Sequence, residues 1–165
     1  MWSSTHLARE ANRDALVLSP DVEERDAPAW ELSVDGQPLD DAVILSGKAL
    51  GGPLLVGTEW AGCLWLAHDR TIHAFPENLK DVRSRTLDAP VYEVRLLPAQ
   101  RILVVVHEIG VVALADDVTI RWSVSTDIIT DIDWRRRNAL IIQQMDGPAL
   151  RIDLLTGRAE TDQAQ

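Results

Sequence analysis

The chain has little cysteine, little lysine and no long apolar segment. Cys63 is the single cysteine, so an intramolecular disulfide is impossible, and we expect a small buried side chain in a reducing compartment. The longest apolar segment, residues 102–115, is interrupted by His107 and Glu108 and is shorter than the roughly 20 residues of a membrane-spanning helix. The first residues lack the basic start and apolar stretch of a secretory signal, so we expect a cytoplasmic protein without membrane attachment.

Motifs for catalysis and cofactor binding are also missing. Residues 46–48, Ser-Gly-Lys, match the end of a phosphate-binding loop, but Ala42 and Ala49 stand where that loop needs a glycine and a hydroxyl residue. The chain has no Gly-x-Ser-x-Gly sequence and no cysteine or histidine spacing typical of zinc sites. We therefore expect no nucleotide, no cofactor and no hydrolase nucleophile.

Helical periodicity is nearly absent, and a short apolar phrase returns four times in its place. Each phrase contains consecutive, largely β-branched residues, which is typical of strands covered on both faces. The leucines that anchor the phrases are spaced 48, 39 and 37 residues apart, a period typical of all-β repeat proteins. The phrases are DALVLSPD from Asp14, GCLWLAHD from Gly62, RILVVVHE from Arg101 and NALIIQQM from Asn138.

Further candidate strands flank each phrase. Residues 91–97 and 128–134 precede a phrase and end in a polar turn, while residues 110–114 and 119–124 follow one. Trp122, in the last of these strands, is expected to fill the space between adjoining sheets. The pattern predicts a single domain over residues 1–165, with units of up to four strands at about 2–38, 39–89, 90–126 and 127–162.

On the four phrases and the strand–turn–strand order of residues 82–134, the chain resembles a β-propeller of the WD-repeat or quinoprotein-like kind. The resemblance extends from Ala15 to Arg158 and implies an all-β fold of antiparallel, blade-like repeats of about 40 residues. Four blade-like units in so short a chain would make either a compact ring closed by the amino-terminal segment or an incomplete set completed by association, including homo-oligomerisation. Two packed sheets, a β-sandwich, are the alternative.

The charge balance bears on the partner. With 26 acidic and 16 basic residues the formal net charge is −10, which disfavours nucleic acid and favours a basic protein partner. Arginine outnumbers lysine by 14 to 2, a bias that we associate with a bacterial source. Insertions on one rim of a repeat array often carry binding, and Trp60 ends such an insertion. The predicted contact residues are Trp60, Glu59, Asp40, Asp41, Asp116 and Asp117, with burial of Trp60 in a neighbouring sheet as the alternative.

Two histidines occupy equivalent positions in the repeats. His68 and His107 each lie four residues after the anchoring leucine, and each is followed by an acidic residue. On adjacent blades they could converge on a divalent transition metal, or each could cap a loop at a polar strand end. His73 could join His68 as a ligand or be a half-buried strand residue.

A pair of carboxylates is the remaining candidate for chemistry. Asp131 and Asp133 share one strand face, with Asp127 nearby, and paired carboxylates support general acid–base catalysis. The alternative is that they are solvated residues at a blade edge.

The sequence predicts a non-catalytic, protein-binding scaffold of a bacterial cytoplasm that recognises its partner through one rim of the repeats. One form of this function is an immunity-type inhibitor of a basic toxin. The alternative is a metal-dependent lyase or hydrolase that uses His68 and His107, with Asp131 and Asp133 nearby.

Overall fold

In the computed structural model the described residues form four sheets, and their only helix is the single 3-10 turn Pro98–Gln100. The structure describes backbone and side chains of residues 60–76, 81–134 and 138–162. For the remaining strand residues, 2–7, 16–17, 29–34, 37–38, 43–44, 54–59 and 135–136, it describes the backbone alone.

The amino-terminal sheet contains the strands β1 (Trp2–Leu7), β2 (Leu16–Val17), β3 (Ala29–Val34), β4 (Gln37–Pro38) and β5 (Val43–Ile44). Its strand order is β1-β3-β5-β2, with β4 also pairing with β3. The first apolar phrase was expected in an antiparallel hairpin, but its strand β2 runs parallel to β5, with Leu16 opposite Val43. This sheet therefore does not have the meander order of the other three.

The other three sheets are four-stranded antiparallel meanders, which we call the first, second and third blades. Because each has the strand order and antiparallel pairing of a propeller blade, the predicted all-β, propeller-like fold is confirmed. The described sheets do not close into a ring. The first blade consists of β6 (Leu54–Trp60), β7 (Cys63–His68), β8 (Thr71–Pro76) and β9 (Arg83–Thr86); the second of β10 (Val91–Leu97), β11 (Ile102–His107), β12 (Gly110–Leu114) and β13 (Ile120–Ser125); the third of β14 (Ile129–Arg136), β15 (Ala139–Gln144), β16 (Leu150–Asp153) and β17 (Ala159–Thr161).

Two hydrophobic clusters, which we call wedges, hold the blades together. The first wedge lies between the first and second blades, and the second wedge lies between the second and third. Strand β11 supplies both, because Leu103 and Val105 point into the first wedge while Val104 and Val106 point into the second. All six residues of β11 are buried, as expected for a strand covered on both faces.

Candidate interaction surfaces

Alternate turns of a meander lie on opposite edges of the sheet, so the blades have two rims. The linker rim carries the turns at residues 69–70, 108–109 and 145–149 and the linkers between blades at residues 87–90 and 126–128. The pocket rim carries the turns at residues 61–62, 98–101, 115–119 and 154–158.

Repeated backbone hydrogen bonds build the linker rim. The N–H of Val91, where the second blade begins, donates to the carbonyl of Asp69 at 2.7 Å, and the N–H of Ile129 donates to Glu108 in the same way at 2.8 Å. These bonds tie each linker to a turn of the preceding blade and satisfy backbone groups that would otherwise be unpaired. A second equivalent pair joins Leu87 to Arg70 at 2.8 Å and Thr126 to Ile109 at 3.1 Å.

His68 and His107 end β7 and β11, and their equivalent in the third blade is Gln144. Gln144 joins a linker to a turn, since its Oε1 accepts from the Asp127 N–H at 2.9 Å and its Nε2 donates to the Pro148 carbonyl at 2.8 Å. Both histidines are buried, 7% and 6% exposed. This burial lowers their pKa below 6.5, and the nearby Asp69 and Asp88 offset only part of the effect. Neutral imidazoles add no positive charge to this rim at pH 7.

The two histidines do not converge on one site. Residues alternate along β7, so Cys63, Trp65 and Ala67 face the first wedge while His68 faces away from it. His107 shares the face of Leu103 and Val105 and points toward the first blade, whose sheet therefore lies between the two imidazoles. Among the described residues no three His, Cys, Asp or Glu side chains are grouped to hold a metal ion.

His73 has a partner other than a metal. Its Nδ1 lies 2.7 Å from the Ser84 Oγ on the neighbouring strand. Burial, with a smaller contribution from the charge of His68, lowers the pKa of His73 to about 4. The residue is therefore a neutral, hydrogen-bonded strand histidine at pH 7.

The linker rim is acidic and carries exposed apolar side chains. Tyr92, Ile109 and Met145 are exposed by 43%, 39% and 60%. The pKa of Tyr92 is raised by burial and by the charge and hydrogen bond of Glu108. In the turns and linkers that define this rim Arg70 is the single basic residue, and its Nε lies 3.9 Å from Asp69; the exposed Arg85 lies in β9, one residue before its end at this rim. The acidic residues are Asp69, Asp88, Glu108, Asp127, Asp146 and Asp162.

Asp116 and Asp117, predicted as contact residues, lie on the pocket rim and have local partners. The Oδ2 of Asp116 accepts from Arg101 at 2.7 Å. The Oδ1 of Asp117 accepts from the hydroxyl and the N–H of Thr119 at 2.5 and 3.0 Å, and these bonds lower the pKa of Asp117. This Asp-x-Thr pattern is a turn signal that the sequence alone displays.

Trp60 is 6% exposed and packs in the first wedge against Trp65, with ring centroids 4.7 Å apart. This position matches the burial alternative, and a buried indole offers a partner no surface. The side chains of Glu59, Asp40 and Asp41 lie outside the described residues.

Asp131 and Asp133 lie on the face of the third blade that points away from the second wedge, because Ile132 and Trp134 between and beside them pack into that wedge. The Oδ1 of Asp131 accepts from the N–H of Ile132 at 2.9 Å. Neither aspartate lies at a wedge or in the pocket described next.

A cavity of about 420 Å³ opens on the pocket rim between the second and third blades. Two arginines and one aspartate from the second blade meet a leucine from the third. The sequence does not indicate this cavity, because its walls come from turns and strand ends of two different blades. It is lined by Gln100, Arg101, Ile102, Asp116, Arg121, Trp122 and Leu155.

No protein-family model matches the chain, and no curated protein matches it in sequence. Solved structures do match: the WD40 domain of Pan2 from Neurospora crassa aligns with a TM-score of 0.52 at 12% identity, over 70% of this chain and 40% of that one. The WD40 β-propeller domain of Doa1 aligns over 81% of this chain and 62% of that one, at 12% identity and a TM-score of 0.37. The chain thus spans less than two thirds of either propeller domain and resembles WD40 propellers in fold.

None of the helical structure in the described part of the chain is long and apolar enough to cross a membrane.

Proposed function

We propose that the protein is a non-catalytic scaffold that binds a basic, partly apolar segment of a protein partner at the linker rim. The composition of that rim carries the proposal, since its turns and linkers contain more acidic residues than arginines and the rim also presents the exposed Tyr92, Ile109 and Met145. Aromatic residues and methionine are enriched at protein interfaces. Surplus negative charge steers a basic partner toward the rim and selects against acidic ones.

The propeller resemblance supports a binding role at the level of fold. WD40 propellers generally bind protein partners, and a rim presents turns from every blade on one surface. The backbone hydrogen bonds between linkers and turns hold this surface in place, so a partner meets a preorganised site.

In its narrower form, the proposal is that the protein acts in a bacterial cytoplasm as an immunity-type inhibitor of a basic toxin. The net charge of −10 supports a basic partner. Self-association is a separate proposal, supported by the absence of ring closure among the described sheets. Light scattering at micromolar concentration tests it, and a strict monomer contradicts it.

A synthetic peptide that alternates arginine with leucine is the probe for the linker rim. Calorimetric titration should give binding that weakens as salt rises, because exposed charges are screened. The double variant Asp88→Asn, Asp146→Asn removes two exposed rim carboxylates and should weaken binding about tenfold. Met145→Ser should weaken binding without changing its salt dependence.

The matched control is Asp81→Asn with Asp131→Asn, which removes the same charge from exposed positions outside the turns and linkers of the linker rim. This control should lose no more than about twofold, the part due to overall charge. Equal losses in the two double variants would mean that the peptide responds to net charge alone, and the linker rim would not be the site.

A further inference from the structure

Unlike the linker rim, the pocket between the second and third blades is lined by two arginines, Arg101 and Arg121, and one aspartate, Asp116. We propose that it binds the carboxylate of an acidic peptide side chain whose apolar neighbour rests on Leu155. The site lies on the other rim and takes the other charge, so it is independent of the proposed binding of a basic partner.

Two guanidinium groups supply the recognition. Arg101 donates a 2.7 Å hydrogen bond to Asp116, and this carboxylate neutralises its positive charge. Arg121 is exposed and has no hydrogen bond or ion pair within the described part of the chain, although the charge of Asp117 acts on it. One unpaired guanidinium therefore remains at the pocket. Its planar fork of donors fits a carboxylate with two parallel hydrogen bonds.

The backbone conformation at residue 101 does not favour an arginine there. Its φ of 54° lies in the left-handed region, where glycine or asparagine is the ordinary choice. The left-handed backbone caps the 3-10 turn and recurs at other turns such as Ala61 and Val118, so the role of arginine here lies in its side chain, which both pairs with Asp116 and lines the pocket.

The third blade closes the other side of the pocket. Gly157 has a φ of 70°, and a Cβ there would lie 2.7 Å from the ring of Trp122, so the turn of the third blade rests directly on this indole. That contact brings Leu155, which is 51% exposed, to the pocket wall. An aliphatic residue beside the acidic one would cover Leu155, and about 420 Å³ is room for such a pair of side chains rather than for a large cofactor.

The test is an NMR titration of the whole protein with acetyl-Leu-Glu-Leu-amide, followed at the backbone amides of Arg121 and Leu155. We expect saturable shifts with a dissociation constant on the order of 1 mM. The peptide with glutamine in place of glutamate should bind at least about tenfold more weakly, because a charge-assisted bond is lost. Arg121→Gln should cause a similar loss.

Arg158→Gln is the matched control, since Arg158 is an exposed arginine on the same rim but does not line the pocket. It should leave binding unchanged within about twofold. Equal binding of the glutamate and glutamine peptides, equal losses in the two arginine variants, or no shifts at all would overturn the proposal. Inorganic phosphate that displaces the peptide at equal concentration would also overturn it, because the site would then bind small anions without regard to a peptide. The linker-rim titration with the basic peptide is unaffected by any of these outcomes.

Discussion

The second and third blades share one strand order but differ on the face that points toward the carboxyl-terminal end of the array. On the second blade Val104, Val106 and Ala113 are fully buried on that face, and Trp122 packs over them. The side chains at the equivalent positions of the third blade are exposed or half-buried. These residues are Ile141, Gln143, Arg151 and Glu160.

The opposite faces of these two blades are alike. Leu103, Val105 and Leu114 in the second blade correspond to Leu140, Ile142 and Ile152 in the third, and all are buried or nearly so. One backbone arrangement therefore accepts either an apolar, buried face or a more polar, more exposed one, and the side chains of a single face decide between them.

The largest difference in stability between the two blades should come from a charge introduced at equivalent positions on this face. Val104→Asp buries a carboxylate in the second wedge and should lower the free energy of unfolding by about 4 kcal/mol or more. Ile141→Asp puts the same group on the half-buried outer face of the third blade and should cost about 1 kcal/mol. Urea denaturation measures both, and equal losses would mean that another part of the chain covers the outer face.

The first blade should make the largest contribution to the loss of stability in acid, because it contains His73. His73 occupies the position that is Val112 in the second blade and Leu150 in the third, and its pKa falls from 6.5 to about 4 on folding. Below pH 6.5 His73 binds a proton in the unfolded chain but stays neutral in the folded protein. The free energy of unfolding therefore decreases as the pH falls, until it reaches about 4. His73 alone should account for about 3 kcal/mol of this decrease.

Denaturation midpoints measured between pH 7 and pH 4 check this expectation. His73→Asn, which retains a polar group toward Ser84, should flatten the pH dependence without removing the contributions of His68 and His107, whose pKa values are also lowered. A variant with the slope of the original protein would contradict the assignment to His73.

A smaller effect should come from the contact between the second and third blades. Gly157→Ala places a methyl group against Trp122 in a left-handed backbone and should cost about 2 kcal/mol. Gly62→Ala is the matched control, because Gly62 has a similar φ of 66° but nothing within 4 Å of its Cβ position, and it should cost about 1 kcal/mol. If denaturation gave the two variants equal losses, the contact with Trp122 would not contribute to stability.

Much of the blade architecture could be predicted because strand signals are local. Leu64, Leu103 and Leu140 mark the second strand of each blade, and the polar turns beside them mark the hairpins. The antiparallel pairing expected for the first phrase was wrong, because periodicity alone does not determine which strand is the partner. Pro20 stands where the other phrases have His68, His107 and Gln144, and proline has no N–H to donate to a neighbouring strand.

The surfaces were harder to predict, because they depend on contacts between blades. Adjacent acidic residues drew attention to Asp116 and Asp117, which support a turn and an ion pair on the pocket rim. The linker rim gathers single acidic residues from separate turns, and no short segment of sequence displays that surplus. The Gly-His and Trp-Asp dipeptides of WD repeats are also absent, which is consistent with a likeness visible in structure and not in sequence.

The equivalent bonds that join Val91 and Ile129 to a turn of the preceding blade use only main-chain atoms. Side chains at these turns can therefore be exchanged without loosening the join between blades. The protein offers a frame on which a new recognition surface can be selected, one turn at a time, at little cost to folding.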